Sequence, residues 1–201
     1  MLIGPKYKIC KRLGASVFEK CQTQKFQLAE ARAPRKIRSK RGGSDYGQQL
    51  IEKQKARFTY GLTETQFSRY VREAMSARGK DSSAGLLSRL ESRLDNAVYR
   101  AGFVKTRRAA RQLVSHGHVT VNGRRVNIPS CVVGAGDTIS IREGSRGSAL
   151  FANRGEEALE QRTPAWMTLE DGGRSAKITQ EPVMTEEAPF NASTIIQFYS
   201  R

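Results

Sequence analysis

Apolar residues recur at helical spacing in two consecutive segments of the chain. These positions are Phe67, Tyr70, Val71, Ala74 and Met75 in the first segment, and Leu86, Leu87, Leu90, Leu94, Ala97, Val98 and Ala101 in the second. Such i, i+3, i+4 spacing is typical of amphipathic helices. Thr63 and Gln66 form a capping box at the start of the first helix, and Gly79 ends it. Gly102 fits the left-handed position that ends the second, which we expect to be continuous.

Two further helices are predicted on either side of this pair. Ser44 is an N-cap residue for a helix that runs to about Arg57, in which Leu50 and Ile51 can pack. Thr106 caps a helix that ends at His116. The residues of this last helix that face inward are Ala109, Ala110, Leu113 and Val114. A weaker helix is predicted over residues 148–162.

Short strands are predicted between and after these helices. The predicted strands are 118–121, 124–126, 138–142, 166–169, 176–179 and 195–199. Asn122-Gly123 favours a type I′ hairpin turn, because both residues tolerate positive φ angles. Gly172-Gly173 separates the two strands of another hairpin. Residues 86–142 are therefore expected to form two helices followed by a small antiparallel sheet.

The charge of the chain points to a polyanionic partner. The 201 residues include 35 Lys and Arg against 19 Asp and Glu, a net charge of +16. Residues 1–60 carry +11, residues 61–145 carry +7 and residues 146–201 carry −2. Nucleic acid is the usual partner for such a charge. Residues 33–43 form a basic segment, rich in Gly and Pro, that we expect to order as an extended arm on phosphates. No apolar run is long enough to cross a membrane, and no apolar stretch near the start could serve as a signal peptide.

Sites for catalysis or metal binding are not indicated. His116 and His118 have no carboxylate or thiol placed by sequence to work with them, and no glycine-rich phosphate loop occurs. Cys10 and Cys21 are ten residues apart and Cys131 is remote, whereas a structural zinc site needs four ligands. Three cysteines also give no disulfide framework, which favours a reducing compartment. We predict no cofactor, no metal and no enzymatic activity.

A basic surface is the arrangement that these patterns favour. Arg107, Arg108 and Arg111 lie off the apolar stripe of their helix, and the turn at 122–125 extends the row. Arg89 and Arg93 are expected on the adjacent helix. Arginine binds phosphate through two parallel hydrogen bonds and stacks on bases, so this grouping predicts RNA binding.

The chain resembles the family of bacterial small ribosomal subunit protein four over nearly its whole length. The segments that carry the resemblance are 93–100, 109–116 and 121–129 in the RNA-binding domain, and 44–50, 52–55, 60–61, 66–67 and 198–201 outside it. The resemblance implies an α+β fold: a mainly helical domain formed by the N- and C-terminal segments, with an inserted helix-helix-antiparallel-sheet RNA-binding domain. It divides the chain into a basic arm at 1–43, a helical domain at 44–91 with 153–201, and an RNA-binding domain at 92–152.

The resemblance also implies a function and a set of rRNA contacts. It describes a cytoplasmic structural protein that binds the five-prime domain of small-subunit rRNA early in assembly. Its partners are ribosomal protein five, other small-subunit proteins and mRNA near its entrance to the subunit, with an effect on translational accuracy. The implied rRNA contacts are Lys53, Lys55, Arg57, Arg93, Arg107, Arg108, Arg111, Gln112, His116, His118, Asn122, Arg124 and Arg125.

The chain departs from the family pattern near its start, and two other functions remain as alternatives. Some family members have four zinc-binding cysteines, of which Cys10 and Cys21 look like two remnants. The family's Pro-Gly-Gln-His-Gly segment is replaced by residues 33–43, and because residues 4–6 resemble the family's start, we expect no cleaved transit peptide. An RNA-modifying enzyme such as a pseudouridine synthase can use the same small domain, but needs a catalytic domain that is not indicated here. A ribosome-associated stress or translational-control factor is the third possibility.

Overall fold

The computed structural model describes residues 4–32, 44–77, 81–148, 151, 163–184 and 188–200. Its helices are α1 (Lys6–Leu13), α2 (Gln24–Arg32), α3 (Asp45–Thr59), α4 (Glu64–Ser76), α5 (Ser82–Glu91), α6 (Leu94–Arg100), α7 (Arg107–Ser115), α8 (Glu143–Arg146) and α9 (Ala192–Tyr199). Its strands are β1 (Val119–Val121), β2 (Arg124–Arg125), β3 (Thr138–Ile141), β4 (Met167–Glu170) and β5 (Ser175–Ile178). The chain is thus a mixture of helices and one small antiparallel sheet, in agreement with the predicted α+β class.

The chain divides into two compact units. The first unit contains Met1–Leu86 and Ala188–Arg201, and the second contains Leu87–Glu187. Most of the predicted helix at 148–162 and all of the basic segment at 33–43 lie outside the described residues.

The start of the first unit contains helices that the sequence patterns did not indicate. Helix α1, a 3-10 turn at Glu19–Cys21 and α2 enclose a small apolar cluster of Cys10, Phe18, Cys21 and Phe26. Phe18 packs edge-on against Phe58, with ring centroids 5.8 Å apart. The cluster takes its side chains from three short elements, so no single element shows a long apolar period.

Helices α3 and α4 begin at the predicted caps. The Ser44 hydroxyl accepts from the Gly47 amide at 3.2 Å, and the Thr63 hydroxyl accepts from the Gln66 amide at 3.3 Å. The predicted packing face of α3 is wrong, however. Ile51 is 38% exposed and Lys53 only 7%, because α9 packs on the side of α3 that carries the lysine.

Residues 195–199 form the last part of α9, so the predicted strand there is wrong. The Asn191 side chain caps the helix by accepting from the Thr194 amide at 3.0 Å. Ala192 and Ile195 are buried at helical spacing, and the Phe198 ring lies 5.4 Å from that of Tyr46. The isoleucine pair suggested a strand, but the cap and the packing against α3 and α4 favour a helix.

The predicted helix at 86–101 is interrupted at Ser92 and Arg93. The Leu94 amide donates to the Cys131 carbonyl and the Val133 amide donates to the Ser92 carbonyl, both at 2.8 Å. These bonds tie the chain between α5 and α6 to the loop before β3. The spacing of apolar residues in 86–101 cannot reveal a contact with such a distant segment. Gly102, with φ +73°, ends α6 as predicted.

The second unit is built around a five-stranded sheet with the strand order β2-β1-β3-β5-β4. All of its neighbouring strands are antiparallel. Asn122 (φ +51°) and Gly123 (φ +78°) form the predicted turn between β1 and β2. Strand β5 pairs with β3, so the β4–β5 hairpin belongs to the second unit. The predicted boundaries, which placed residues 153–201 with the helical domain, are corrected in this respect.

One apolar core joins the helices of the second unit to its sheet. Its fully buried members include Leu94, Ala97, Val98, Phe103, Ala110, Val114, Val119, Ile139 and Ala176. Helices α6 and α7 therefore pack on this core through one face. The opposite face of α7 is available for polar side chains, and the predicted contacts in this helix are Arg107, Arg108, Arg111 and Gln112.

Candidate nucleic-acid interface

Helix α7 presents a row of polar side chains on the side that faces away from the core. The Thr106 hydroxyl caps the helix by accepting from the Ala109 amide at 3.0 Å, as predicted. Ala110, Leu113 and Val114 turn inward. Arg108 and Gln112 are exposed and one turn apart, so they lie side by side. In the described part of the chain, Arg108 forms no ion pair, and its charge is open to a ligand.

The row continues from α7 to the second strand of the hairpin. His116 is exposed at the end of α7, and Arg125 Nη2 donates to its carbonyl oxygen at 3.3 Å. The Arg125 guanidinium crosses Gly117, whose φ is +72°. The His116 and His118 rings are stacked with centroids 6.1 Å apart. Arg108, Gln112, His116 and Arg125 thus form a continuous surface, which we call the α7 edge.

The turn itself is held by its asparagine. Asn122 Nδ2 donates to Asp137 Oδ1 at 2.7 Å, and Asn122 Oδ1 accepts from the Thr138 amide at 2.9 Å. Asn122 therefore fixes the turn, while the neighbouring Arg124 is exposed. His118 is partly buried and its Nδ1 lies 2.9 Å from Ser145 Oγ, so it supports the edge from inside.

The other two arginines of α7 are bound to side chains of α6. Arg111 donates to Asp95 Oδ2 from Nε at 2.8 Å and from Nη2 at 2.7 Å. Arg107 Nε donates to Asn96 Oδ1 at 2.9 Å, and its guanidinium lies 4.4 Å from the centre of the Tyr99 ring. Both side chains are partly exposed. They are held in place beside the α7 edge.

Arg93 lies inside the second unit and is only 2% exposed, so the predicted contact with rRNA at its surface is corrected. Its Nε and Nη2 donate to the two oxygens of Asp95 at 3.0 and 2.8 Å. Arg100 is also buried and forms an ion pair with Glu91 at 2.9 Å.

The buried polar residues Glu91, Asp95 and Asn96 are functional candidates that the sequence reasoning missed. The resembling segment 93–100 contains Asp95 and Asn96, and that was the only signal for them.

The three predicted contacts in α3 are paired with carboxylates of the first unit. Lys53 Nζ donates to Glu64 Oε1 at 2.8 Å and lies 4.6 Å from the centre of the Phe198 ring. Lys55 is ion-paired to Glu52 at 2.7 Å with 18% of its side chain exposed. Arg57 lies 3.7 Å from Glu64 with 19% exposed. The expectation of an open side chain is corrected for Lys53, which α9 covers, whereas Lys55 and Arg57 keep part of their surface exposed. Because α9 was predicted as a strand, the face that it covers could not be foreseen.

Glu64 is the centre of this group in the first unit. It accepts from Lys53 and from the Tyr199 hydroxyl, each at 2.8 Å. Partial burial acts to raise the pKa of Glu64, but the two hydrogen bonds and the charges of Lys53 and Arg57 outweigh it, so the pKa lies below its ordinary value. Burial is the largest cause that raises the pKa of the Tyr199 phenol above its ordinary value, and the hydrogen bond to Glu64 is the next. The cluster joins α3, α4 and α9.

The exposed polar side chains of the α7 edge suit the binding of anions. Among the described residues, no three His, Cys, Asp or Glu side chains come together as a metal site would require. Cys10 and Cys21 are buried within the apolar cluster of the first unit. No helix in the described ranges is long and apolar enough to cross a membrane. Exposed arginine, glutamine and histidine on a rigid helix are groups that contact phosphate and 2′-hydroxyl oxygens.

The chain is similar to known proteins over nearly its whole length. Residues 1–91 match the ribosomal protein S4/S9 N-terminal domain, and residues 92–139 match the S4 domain. The small ribosomal subunit protein uS4 of Roseiflexus castenholzii is 44% identical over 204 residues, covering 99% of this chain and 98% of that protein. The uS4 protein of Acinetobacter baylyi is 42% identical with the same coverage, and that of Persephonella marina is 44% identical over 98% of both chains.

These relatives confirm the resemblance that the sequence motifs indicated. They agree with a structural protein of the cytoplasmic small ribosomal subunit, and the predicted lack of enzymatic activity is confirmed by the family. The alternative of an RNA-modifying enzyme is therefore excluded. The chain belongs to the uS4 family of small ribosomal subunit proteins.

Proposed function

We propose that this protein binds the five-prime domain of small-subunit rRNA as a primary binder that nucleates subunit assembly. We further propose that it contacts ribosomal protein five and lies near the entrance for mRNA, where it contributes to translational accuracy. Family membership supports the general role. The domain with the α7 edge is proposed to be inserted into a helical domain that both ends of the chain form.

The observation that carries this proposal is the α7 edge. Arg108 and Arg125 are exposed on two different elements of one compact unit, and the Arg125 guanidinium donates to the His116 carbonyl. Ordered RNA is recognised mainly through its shape, its phosphates and its 2′-hydroxyls. Cationic side chains at fixed positions match a folded RNA better than the same charges on a mobile arm, because less freedom is lost on binding.

The proposed contacts follow the exposure of the side chains. Arg108, Gln112, His116, Arg124 and Arg125 are exposed and are proposed as direct contacts. Arg107 and Arg111 are proposed as contacts held by their partners on α6. Asn122 and His118 are proposed to act by supporting the turn and the edge.

Binding to a fragment of the rRNA five-prime domain across a salt series tests the proposal. An unrelated folded RNA of equal length is measured beside it. We expect tighter binding to the rRNA fragment, and Arg108→Ala with Arg125→Ala should weaken it at least tenfold. Each lost phosphate contact lowers the slope of log affinity against log salt by about 0.7 to 0.9.

A matched variant controls for the loss of two charges. Arg174 and Lys177 are exposed in the same unit, on the β4–β5 hairpin, and replacing both with alanine makes the same change in net charge. We expect this variant to retain most of the affinity. Equal affinity of the wild type for both RNAs, or equal losses in the two variants, would contradict a specific rRNA surface.

A further inference from the structure

Asp95 is an acidic residue buried directly behind the basic surface of the second unit. It is 4% exposed, yet two arginines bind it: Arg93 from the interior and Arg111 from α7. Arg111 contacts it through two nitrogen atoms of one guanidinium, at 2.8 and 2.7 Å. Both nitrogens donate to the same oxygen, Oδ2, so the edge of the Arg111 guanidinium is held against the carboxylate.

Asn96 holds the neighbouring arginine in a similar way. Its Oδ1 accepts from Arg107 Nε at 2.9 Å, while its Nδ2 donates to Glu91 Oε2 at 3.0 Å. Glu91 is fully buried and is held in turn by Arg100. Glu91 therefore fixes the orientation of the Asn96 amide, and the amide oxygen in turn positions Arg107. The Arg107 guanidinium also lies over the Tyr99 ring.

We infer that Asp95 and Asn96 are positioning residues for RNA binding, which hold Arg111 and Arg107 in the poses that the RNA meets. The inference rests on the proposed function. The Arg111 side chain keeps 31% of its surface exposed while Asp95 fixes its orientation. A long arginine side chain that is already ordered loses less conformational freedom when it binds phosphate.

The opposite role for Asp95 makes a different prediction. If its carboxylate only competed with phosphate for Arg111, then removing its charge would release the arginine and strengthen RNA binding. Asp95→Asn also makes the protein more positive by one charge, which by itself favours a polyanion. The sign of the change in affinity therefore separates positioning from competition.

A double-mutant cycle on RNA binding provides the test. Asp95→Asn and Arg111→Ala should each weaken binding to the rRNA fragment about tenfold. Together they should weaken it no more than about twofold beyond Arg111→Ala alone, because Asp95 acts through that side chain. A purely structural loss would instead add to the effect of Arg111→Ala. Tighter binding by Asp95→Asn, or additive losses, would overturn the inference.

A second cycle and a charge control complete the experiment. Asn96→Ala with Arg107→Ala gives the same test at the second pair, and it decides the matter if Asp95→Asn does not fold by circular dichroism. Asp171→Asn makes the same change in charge at an exposed position of this unit, and its affinity should stay within twofold of wild type.

The two proposals fail in different ways. A wild type that binds both RNAs equally contradicts the proposed function. A selective wild type whose affinity depends on Arg111 but not on Asp95 contradicts only the positioning role.

Discussion

The guanidinium group of Arg125 lies over Gly117, in the space that a Cβ atom on that residue would occupy. Gly117 has a φ of +72°, so its position needs glycine both for the backbone and for the close approach of the arginine. This pair joins the end of α7 to β2 and sets the direction of Arg125 on the α7 edge.

Replacing Gly117 with alanine should therefore destabilise the protein and weaken RNA binding together. We expect a loss of about 1 kcal/mol in the free energy of urea unfolding from the positive φ, while the flexible Arg125 side chain moves off the α7 edge to admit the added Cβ atom. Gly123→Ala is the matched control: its φ is +78°, but nothing lies within 4 Å of the added Cβ atom. It should cost about 1 kcal/mol. Only the Gly117 variant should lose RNA affinity, and equal RNA affinity for the two variants would contradict the displacement of Arg125.

The two arginines held by α6 should contribute to RNA affinity without supporting the fold. Arg107→Ala with Arg111→Ala should weaken binding to the rRNA fragment at least tenfold. The helical circular dichroism should be unchanged, because neither side chain belongs to the apolar core and Asp95 keeps Arg93 as a partner. A large loss of helical signal would show that these arginines are structural instead.

The cap of α9 should be measurable in the stability of the first unit. Asn191→Ala removes the acceptor for the Thr194 amide and should cost about 1 kcal/mol in the free energy of unfolding. Asn191→Asp keeps an acceptor at the N-cap and should retain most of the stability. If the alanine variant matched the wild type, the helix would not depend on this cap.

The Glu64 cluster should make stability depend on pH in the acid range. The folded-state pKa of Glu64 is lowered, so its contribution is fully present above its ordinary pKa of 4.5. It is lost as the pH falls through the lower folded value. The exposure of Glu64 limits the effect to about 1 kcal/mol. Urea unfolding of wild type and Glu64→Gln between pH 3 and 7 measures it.

The Glu64→Gln variant should be less stable at pH 7, and the difference should shrink as the medium becomes acidic. Glu73→Gln serves as a control, because Glu73 lies in a more open i, i+4 pair with Arg69. A difference between wild type and Glu64→Gln that stays constant with pH would contradict the assigned pKa direction.

Local signals in the sequence predicted local structure well. The hydroxyls of Ser44, Thr63 and Thr106 cap their helices as expected, and Asn122-Gly123 forms the predicted turn. Each of these features depends on residues within three or four positions of one another. The side chains that cap a helix or adopt a positive φ do so for reasons contained in that short stretch.

The facing of charged residues could not be predicted in the same way. Lys53 and Arg93 occur among basic residues and looked like surface positions, but α9 covers the first and Asp95 binds the second within a buried site. A lysine or arginine can be buried when a carboxylate and an aromatic face receive it. Whether such a side chain is buried depends on its partner, which can be near or distant in the sequence. The spacing of apolar residues does not reveal that partner.

The hydrogen bond between Glu64 and Tyr199 has a consequence for the order in which the two units can fold while the chain is being synthesised. Its two residues are 135 positions apart, and all strands of the sheet lie between them. Helices α3 and α4 therefore leave the translating ribosome long before α9 can pack on them. The second unit has all its strands available earlier, so it can form its core first, and the first unit is completed only after α9 has emerged.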